Sequence, residues 1–92
     1  MALEFEWDAT KAAENLSNHG VSFGEAEGVF ADPLAVEMPD SDHSDAEDRW
    51  IMLGHSYQQR LVVVVFTERG RTIRIISARL ATRSEQKDYE EE

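Results

Sequence analysis

One run of six apolar residues, Leu61 to Phe66, constrains the fold of this chain more than any other feature. The run Leu-Val-Val-Val-Val-Phe is apolar at both alternating sets of positions, which is typical of a strand covered on both faces. Segments of strand character lie on either side, and three-residue connections are short enough for hairpins. The sequence therefore predicts an antiparallel meander of Arg49–Ser56, Arg60–Glu68 and Thr72–Arg79, joined by Tyr57–Gln59 and Arg69–Arg71.

Helix signals lie on both sides of this meander. Asp8 is a predicted N-cap, and His19-Gly20 is a predicted helix end. Serine or threonine three residues before glutamate, as at Ser22 and Thr82, indicates a capping box. The predicted helices are Ala9–Asn18, Phe23 to about Ala31 and Arg83–Tyr89, and the further predicted strands are Leu3–Trp7 and Leu34–Met38.

This order of elements predicts an α+β fold. Helices at both ends would pack on one face of a small, mostly antiparallel sheet. A chain of 92 residues has room for one hydrophobic core, so residues 1–92 are expected to form a single domain.

Composition excludes several classes of protein. The chain has no cysteine, which rules out disulfides, thiolate metal sites and a cysteine nucleophile. The stretch from Met1 to Asp8 has no basic or long apolar region of the kind found in secretory signals. The longest apolar run of the chain, Leu61 to Phe66, is far shorter than the roughly 20 residues that span a bilayer. We expect a cytoplasmic protein without a membrane partner.

Charge is distributed unevenly along the chain. The formal net charge is −10, yet Arg60–Arg83 contains six arginines and one acid, Glu68, for a local charge of +5. Arginine favours planar recognition of phosphate or carboxylate groups. The acidic remainder opposes non-specific binding of nucleic acid, but a local phosphate site is compatible with it because salt screens distant charges. Surface pairing with carboxylates is the alternative interpretation.

A series of short strings occurs in order along the chain, from about Phe5 to Glu91. The strings include Phe5-Glu6-Trp7-Asp8, Lys11-Ala12, Asn15-Leu16, His19-Gly20-Val21-Ser22-Phe23, Asp32-Pro33, Glu47-Asp48-Arg49, Phe66-Thr67-Glu68-Arg69-Gly70, Arg74-Ile75-Ile76-Ser77-Ala78-Arg79 and Tyr89-Glu90. Together these strings resemble the BrnT family, small toxins of bacterial type II toxin–antitoxin systems. Relatives often have Lys-His-Gly where this chain has Asn18-His19-Gly20.

The resemblance implies a fold similar to RelE-type ribonucleases and a bacterial endoribonuclease that needs no metal or other cofactor. It also implies a BrnA-like antitoxin, through which the complex would contact operator DNA. An alternative is a non-catalytic binding module that acts as co-repressor, because the acidic remainder suits a basic partner.

RNA cleavage without metal requires a base, cations around the phosphorane and an acid for the leaving oxygen. Glu68 is the candidate base, and the alternative is an ion pair with Arg60 or Arg69. His19 is the candidate acid, or alternatively a C-terminal helix cap. The arginines are phosphate ligands or structural ion pairs. The predicted catalytic residues are Glu68, Arg79, Arg60 and His19, and the predicted substrate-binding residues are Arg74, Arg83 and Arg69.

Two further expectations concern geometry. Strict alternation places Arg74 and Arg79 on opposite faces of the last strand, so they share a pocket only if that strand bulges or twists. His43 and Glu47 are spaced like metal ligands on a helix. An acidic solvated loop, which would also suit contact with an antitoxin, explains that segment without a metal, so no metal site is predicted.

Overall fold

The computed structural model describes residues 3–40 and 48–91, and these residues form a mixed sheet with helices. Five strands and three α-helices lie in these ranges. The strands are β1 (Glu4–Glu6), β2 (Val36–Pro39), β3 (Trp50–His55), β4 (Leu61–Arg69) and β5 (Thr72–Leu80). The helices are α1 (Ala9–His19), α2 (Phe23–Glu27) and α3 (Arg83–Glu90), with a 3₁₀ turn at Gly28–Ala31.

The strand order is β1-β5-β4-β3-β2, which places β4 in the centre as its apolar run predicts. The meander β3-β4-β5 is antiparallel and β2 pairs antiparallel with β3, whereas β1 pairs parallel with β5. The sheet is therefore mixed, and the fold is α+β. Gly70, with φ +63°, allows the tight turn from β4 into β5.

The main core lies between the sheet and the helices α1 and α2. Val62, Val64 and Phe66 of β4 are buried on this face, as is Phe23 of α2. Phe30 packs edge to face against Phe66 at a centroid distance of 4.9 Å. This packing fixes α1 and α2 over β4 and β5.

A bulge in β5 changes the predicted faces of that strand. Val65 pairs with Ser77 and Phe66 pairs with Ile75, so Ile76 is an extra residue without a partner on β4. The side-chain alternation shifts by one residue there, and Ile75 and Ala78 both face the core. Arg74 and Arg79 therefore lie on the same face of the sheet, and the prediction of opposite faces from strict alternation is wrong.

The prediction that all helices pack on one face is also wrong, because α3 contacts the other face. Arg79 and His55 point away from the main core, and they contact Glu85 and Tyr89 of α3 respectively. Leu53 is buried on this same face of the sheet. The short chain segment after β5 thus leads to the face opposite α1 and α2. None of the helices described is long and apolar enough to cross a membrane.

The helix ends follow the predicted signals with one exception. Gly20 ends α1 in a left-handed conformation, with φ +70°. The capping box of Thr82 and Glu85 is complete. Ser22 caps α2 through the Glu25 N–H at 2.9 Å, but the Glu25 carboxylate does not return to the Ser22 backbone. It points inward instead, because the Arg60 guanidinium and the Ser56 hydroxyl bind it there.

Candidate functional site

Arg60 is the partner that holds the Glu25 carboxylate inward. Its Nε donates to Glu25 Oε2 at 2.9 Å, and its Nη2 donates to Glu25 Oε1 at 2.5 Å and to the Gly20 carbonyl at 2.9 Å. Ser56 Oγ donates to the same carboxylate at 2.7 Å. The hydrogen bonds from Arg60 hold the pKa of Glu25 below its ordinary value, although burial opposes this. Arg60 therefore links the start of β4 to α2 and the end of α1.

Arg79 has a partner in α3. Its two terminal nitrogens each donate to a Glu85 oxygen at 2.8 Å, a bidentate geometry that matches the two planar groups. Hydrogen bonding from Arg79 lowers the pKa of Glu85 to about 2, against the opposing effect of desolvation. This pair holds the first turn of α3 against β5.

Glu68 lies at the exposed end of β4, far from Arg60. Arg60 immediately precedes β4, and Glu68 comes eight positions later, or roughly 26 Å away at the usual rise of a strand. Arg69 beside it and Arg83 at the start of α3 are also exposed. The structure therefore does not bring Glu68, Arg60 and Arg79 into one pocket, and their roles in catalysis remain predictions.

A groove between α1 and β5 brings other basic side chains together. It consists of two adjoining clefts, of about 210 and 110 Å³, that share Lys11 and Ile76. We call it the α1–β5 groove. The larger cleft is lined by Lys11, Glu14, Asn15, Asn18, His19 and Ile76, and the smaller by Asp8, Lys11, Arg49, Arg74, Ile75 and Ile76.

Positive charge dominates the smaller cleft. Lys11, Arg49 and Arg74 line it together with one acid, Asp8, whose Oδ1 accepts the Lys11 backbone N–H at 2.9 Å as the cap of α1. Arg74 also donates to Glu6 at 2.6 Å, but about a third of its side chain stays exposed. Both clefts open to solvent. This arrangement suits an extended anion, with an imidazole at one end of the groove and guanidinium groups at the other.

The groove exists because β1 is short. It ends at Glu6, opposite Arg74, and leaves the outer edge of β5 without a strand partner from Ile75 onward. The chain then continues into α1, which packs against that edge. The bulge at Ile76 lies at the place where the two clefts meet.

Sequence reasoning identified two groove residues, His19 and Arg74, and missed Lys11 and Arg49. The local positive charge of the sequence points only to Arg60–Arg83, whereas the fold adds one lysine from α1 and one arginine from the segment before β3. Both residues occur in the strings that resemble the BrnT family, at Lys11-Ala12 and Glu47-Asp48-Arg49. That resemblance was the available signal.

A separate cavity of about 320 Å³ lies at the end of β3, beside Asp32 and His55. Asp32 accepts from the Tyr89 hydroxyl at 2.7 Å and from the His55 N–H at 2.8 Å. Burial and the hydrogen bond to Asp32 raise the pKa of Tyr89 to about 12. These contacts anchor the end of α3, and this cavity has no arginine or lysine in its lining.

No group of three or more potential metal ligands occurs within residues 3–40 and 48–91. His43 and Glu47, the pair considered as metal ligands, lie outside the described residues.

Comparison with known proteins identifies the family of this chain. Residues 7–85 match the family model described as the ribonuclease toxin, BrnT, of type II toxin–antitoxin systems. The chain belongs to the BrnT family. The fold of this BrnT chain is similar to the 1.1 Å crystal structure of the Brucella abortus ribonuclease toxin BrnT, with a TM-score of 0.69 and 25% identity. That match covers 89% of this chain and 100% of the Brucella chain. No curated protein sequence matched this BrnT chain.

Proposed function

We propose that this BrnT chain cleaves RNA in the α1–β5 groove, without a metal ion. The observation that carries this proposal is the placement of Lys11, Arg49 and Arg74 around one solvent-open cleft that continues to His19. The family is one of ribonuclease toxins, and an RNA backbone is the extended anion that such a toxin must hold.

The reaction needs few groups. The 2′-oxygen of the RNA attacks the adjacent phosphorus, the bond to the 5′-oxygen breaks, and the products are a 2′,3′-cyclic phosphate and a 5′-hydroxyl. The cations of the smaller cleft would stabilise the extra negative charge on the phosphorane. His19 is the groove residue whose imidazole is proposed to donate or accept a proton in this reaction.

The other predicted site residues remain part of the proposal, and their positions suggest different roles. Arg74 and His19 line the groove and are its first candidates. Glu68 is an exposed carboxylate that lines neither cleft, and Arg69 and Arg83 are exposed cations able to contact RNA beyond the groove. Arg60 and Arg79 each bind a carboxylate of this chain, so their loss is expected to act through stability.

The system around the toxin follows from the family. A type II toxin is neutralised by a protein antitoxin, and we propose a BrnA-like antitoxin that alone contacts the operator DNA. We further propose a RelE-type relationship for the fold and a bacterial cytoplasmic location, where the RNA substrate is found.

The first experiment incubates the purified toxin with a defined RNA in the presence of a chelator. We expect cleavage by the wild type and a drop of about 10-fold or more in kcat/KM for Lys11→Ala and for Arg74→Ala. Lys87→Ala removes an exposed cation from α3 and serves as the matched control, with activity unchanged. Glu68→Ala and Arg79→Ala belong in the same series. Cleavage that requires a divalent metal would contradict the proposal.

Growth of a host without any antitoxin distinguishes a ribonuclease toxin from the alternative, a non-catalytic co-repressor. Expression of the wild type should arrest growth, and Arg74→Ala should relieve the arrest at equal protein level. Harmless expression together with intact RNA would instead indicate a non-catalytic co-repressor.

A further inference from the structure

Asn15 is the buried residue of α1, and all of its side-chain hydrogen bonds go to the backbone. Its Nδ2 donates to the Ala78 carbonyl at 2.7 Å and to the Val21 carbonyl at 2.9 Å. Its Oδ1 accepts from the Ala78 N–H at 3.1 Å. The residue is 7% exposed, so both donors and the acceptor are satisfied away from water.

The Asn15 amide replaces a missing strand. Pairing of β1 with β5 ends at Arg74, and Ala78 lies beyond it on the same outer edge, fully buried. An unpaired peptide group in that position would be costly. Since the side-chain amide of Asn15 donates to and accepts from one residue of β5, it pairs with Ala78 as the backbone of a neighbouring strand would.

The Asn15–Ala78 contact lies beside the larger cleft of the α1–β5 groove, whose lining includes Asn15. Lys11, Asn15 and His19 are spaced by four residues and lie on one side of α1, about 6 Å apart along its axis. Ala78 is four residues after Arg74 on β5 and two residues after the bulge at Ile76. The Asn15–Ala78 contact therefore determines how Lys11 of α1 and Arg74 of β5 are placed across the groove.

We propose that Asn15 is a positioning residue for RNA cleavage, fixing Lys11 and His19 of α1 relative to Arg74 of β5. This inference rests on the proposed function of the groove. Asn15 need not touch RNA. Its removal leaves every charge of the groove in place and changes the geometry alone, and small displacements of catalytic groups are expensive in rate.

The test compares Asn15→Ala with Val29→Ala, a core variant remote from the groove that also lowers stability. Both are assayed at a temperature where each is fully folded by circular dichroism. The substrate is a labelled oligoribonucleotide that spans a site cut by the wild type. Affinity is measured on the all-2′-deoxy form of the same oligonucleotide, which has no 2′-oxygen to attack phosphorus.

For Asn15→Ala we expect the single-turnover cleavage rate of bound RNA to fall by about 10-fold or more, while Kd for the deoxy oligonucleotide changes by less than about 3-fold. Val29→Ala should keep both values. If Asn15→Ala does not fold, Asn15→Ser retains one donor on a shorter side chain and is held to the same criterion.

The failures are distinguishable. A wild-type rate for folded Asn15→Ala, or an equal loss in Val29→Ala, would overturn the positioning role while leaving the ribonuclease proposal intact. An inactive wild type, or full activity in both Lys11→Ala and Arg74→Ala, would overturn the groove as the site and the role of Asn15 with it.

Discussion

Arg60 and Glu25 are 35 positions apart and join the start of β4 to α2 through a two-point ion pair with N–O distances of 2.5 and 2.9 Å. The Glu25 carboxylate is buried, and it also accepts from Ser56. A buried charge without its partner is strongly destabilising, so this pair is a point at which the fold is sensitive to single substitutions.

Arg60→Ala should therefore lower stability. We expect the melting temperature to fall by roughly 5 °C or more, since the substitution leaves the Glu25 carboxylate buried without its guanidinium partner. Differential scanning calorimetry at neutral pH measures this shift. Arg83→Ala, an exposed arginine at the start of α3, should change the melting temperature little. Equal melting temperatures for wild type and Arg60→Ala would contradict the structural role.

Acid should weaken the contact between Arg79 and Glu85. The pKa of Glu85 is lowered to about 2 from an ordinary 4.5, so the stabilisation is present above pH 4.5 and is lost as pH falls toward 2. Glu85→Gln should cost on the order of 1 kcal/mol at neutral pH, because the pair is partly exposed and solvent screens it.

Urea unfolding across this pH range measures the effect. The stability difference between wild type and Glu85→Gln should shrink as the pH approaches 2. Glu90→Gln, at an exposed position in the same helix, should show no such trend. A difference that stays constant with pH would rule out the ion pair as its source.

Tyr89 should lose its hydroxyl proton at a higher pH than an ordinary tyrosine. The chain has two tyrosines, and burial together with the Asp32 carboxylate raises the pKa of Tyr89 to about 12. The protonated hydroxyl makes the contact, so its stabilisation is complete below pH 10 and is lost as pH rises to about 12. Ultraviolet titration should show one delayed tyrosinate transition, absent in Tyr89→Phe. Tyr57→Phe is the control and should retain it.

Gly54 of β3 and Gly24 of α2 should respond oppositely to substitution by alanine. A Cβ at Gly54 would lie 3.0 Å from both Ala35 Cβ and Asp32 Oδ2, so Gly54→Ala should destabilise the fold by roughly 1–3 kcal/mol. A Cβ at Gly24 of α2 meets nothing closer than 3.8 Å, and Gly24→Ala should stabilise the helix by up to about 1 kcal/mol. Chemical denaturation measures both, and equal effects would contradict this packing.

The elements that local sequence determines were predictable. The central position of β4 follows from an apolar run, and the complete capping box at Thr82 follows from spacing of residues three apart. The inward turn of Glu25 was not predictable in this way, because its partner Arg60 comes from a distant strand. Local signals report on neighbours in the chain, whereas buried ion pairs depend on the assembled fold.

The candidate site shows the same division. Counting charge along the chain pointed to Arg60–Arg83, but two of these arginines, Arg60 and Arg79, bind carboxylates of other elements. The groove instead contains Lys11 and Arg49, which come from the acidic part of the chain outside Arg60–Arg83. Pairing of β1 with β5 creates this neighbourhood, and no periodicity in the sequence indicates which strands pair in parallel.

The extra residue at Ile76 sets the phase between the two halves of β5. If all six residues from Arg74 to Arg79 paired regularly with β4, without the bulge, the two arginines would project from opposite faces of the sheet. One guanidinium would have to enter the apolar interior or the strand would have to slide along β4. The irregularity is thus what permits a single strand to carry cations toward the groove at one end and toward α3 at the other.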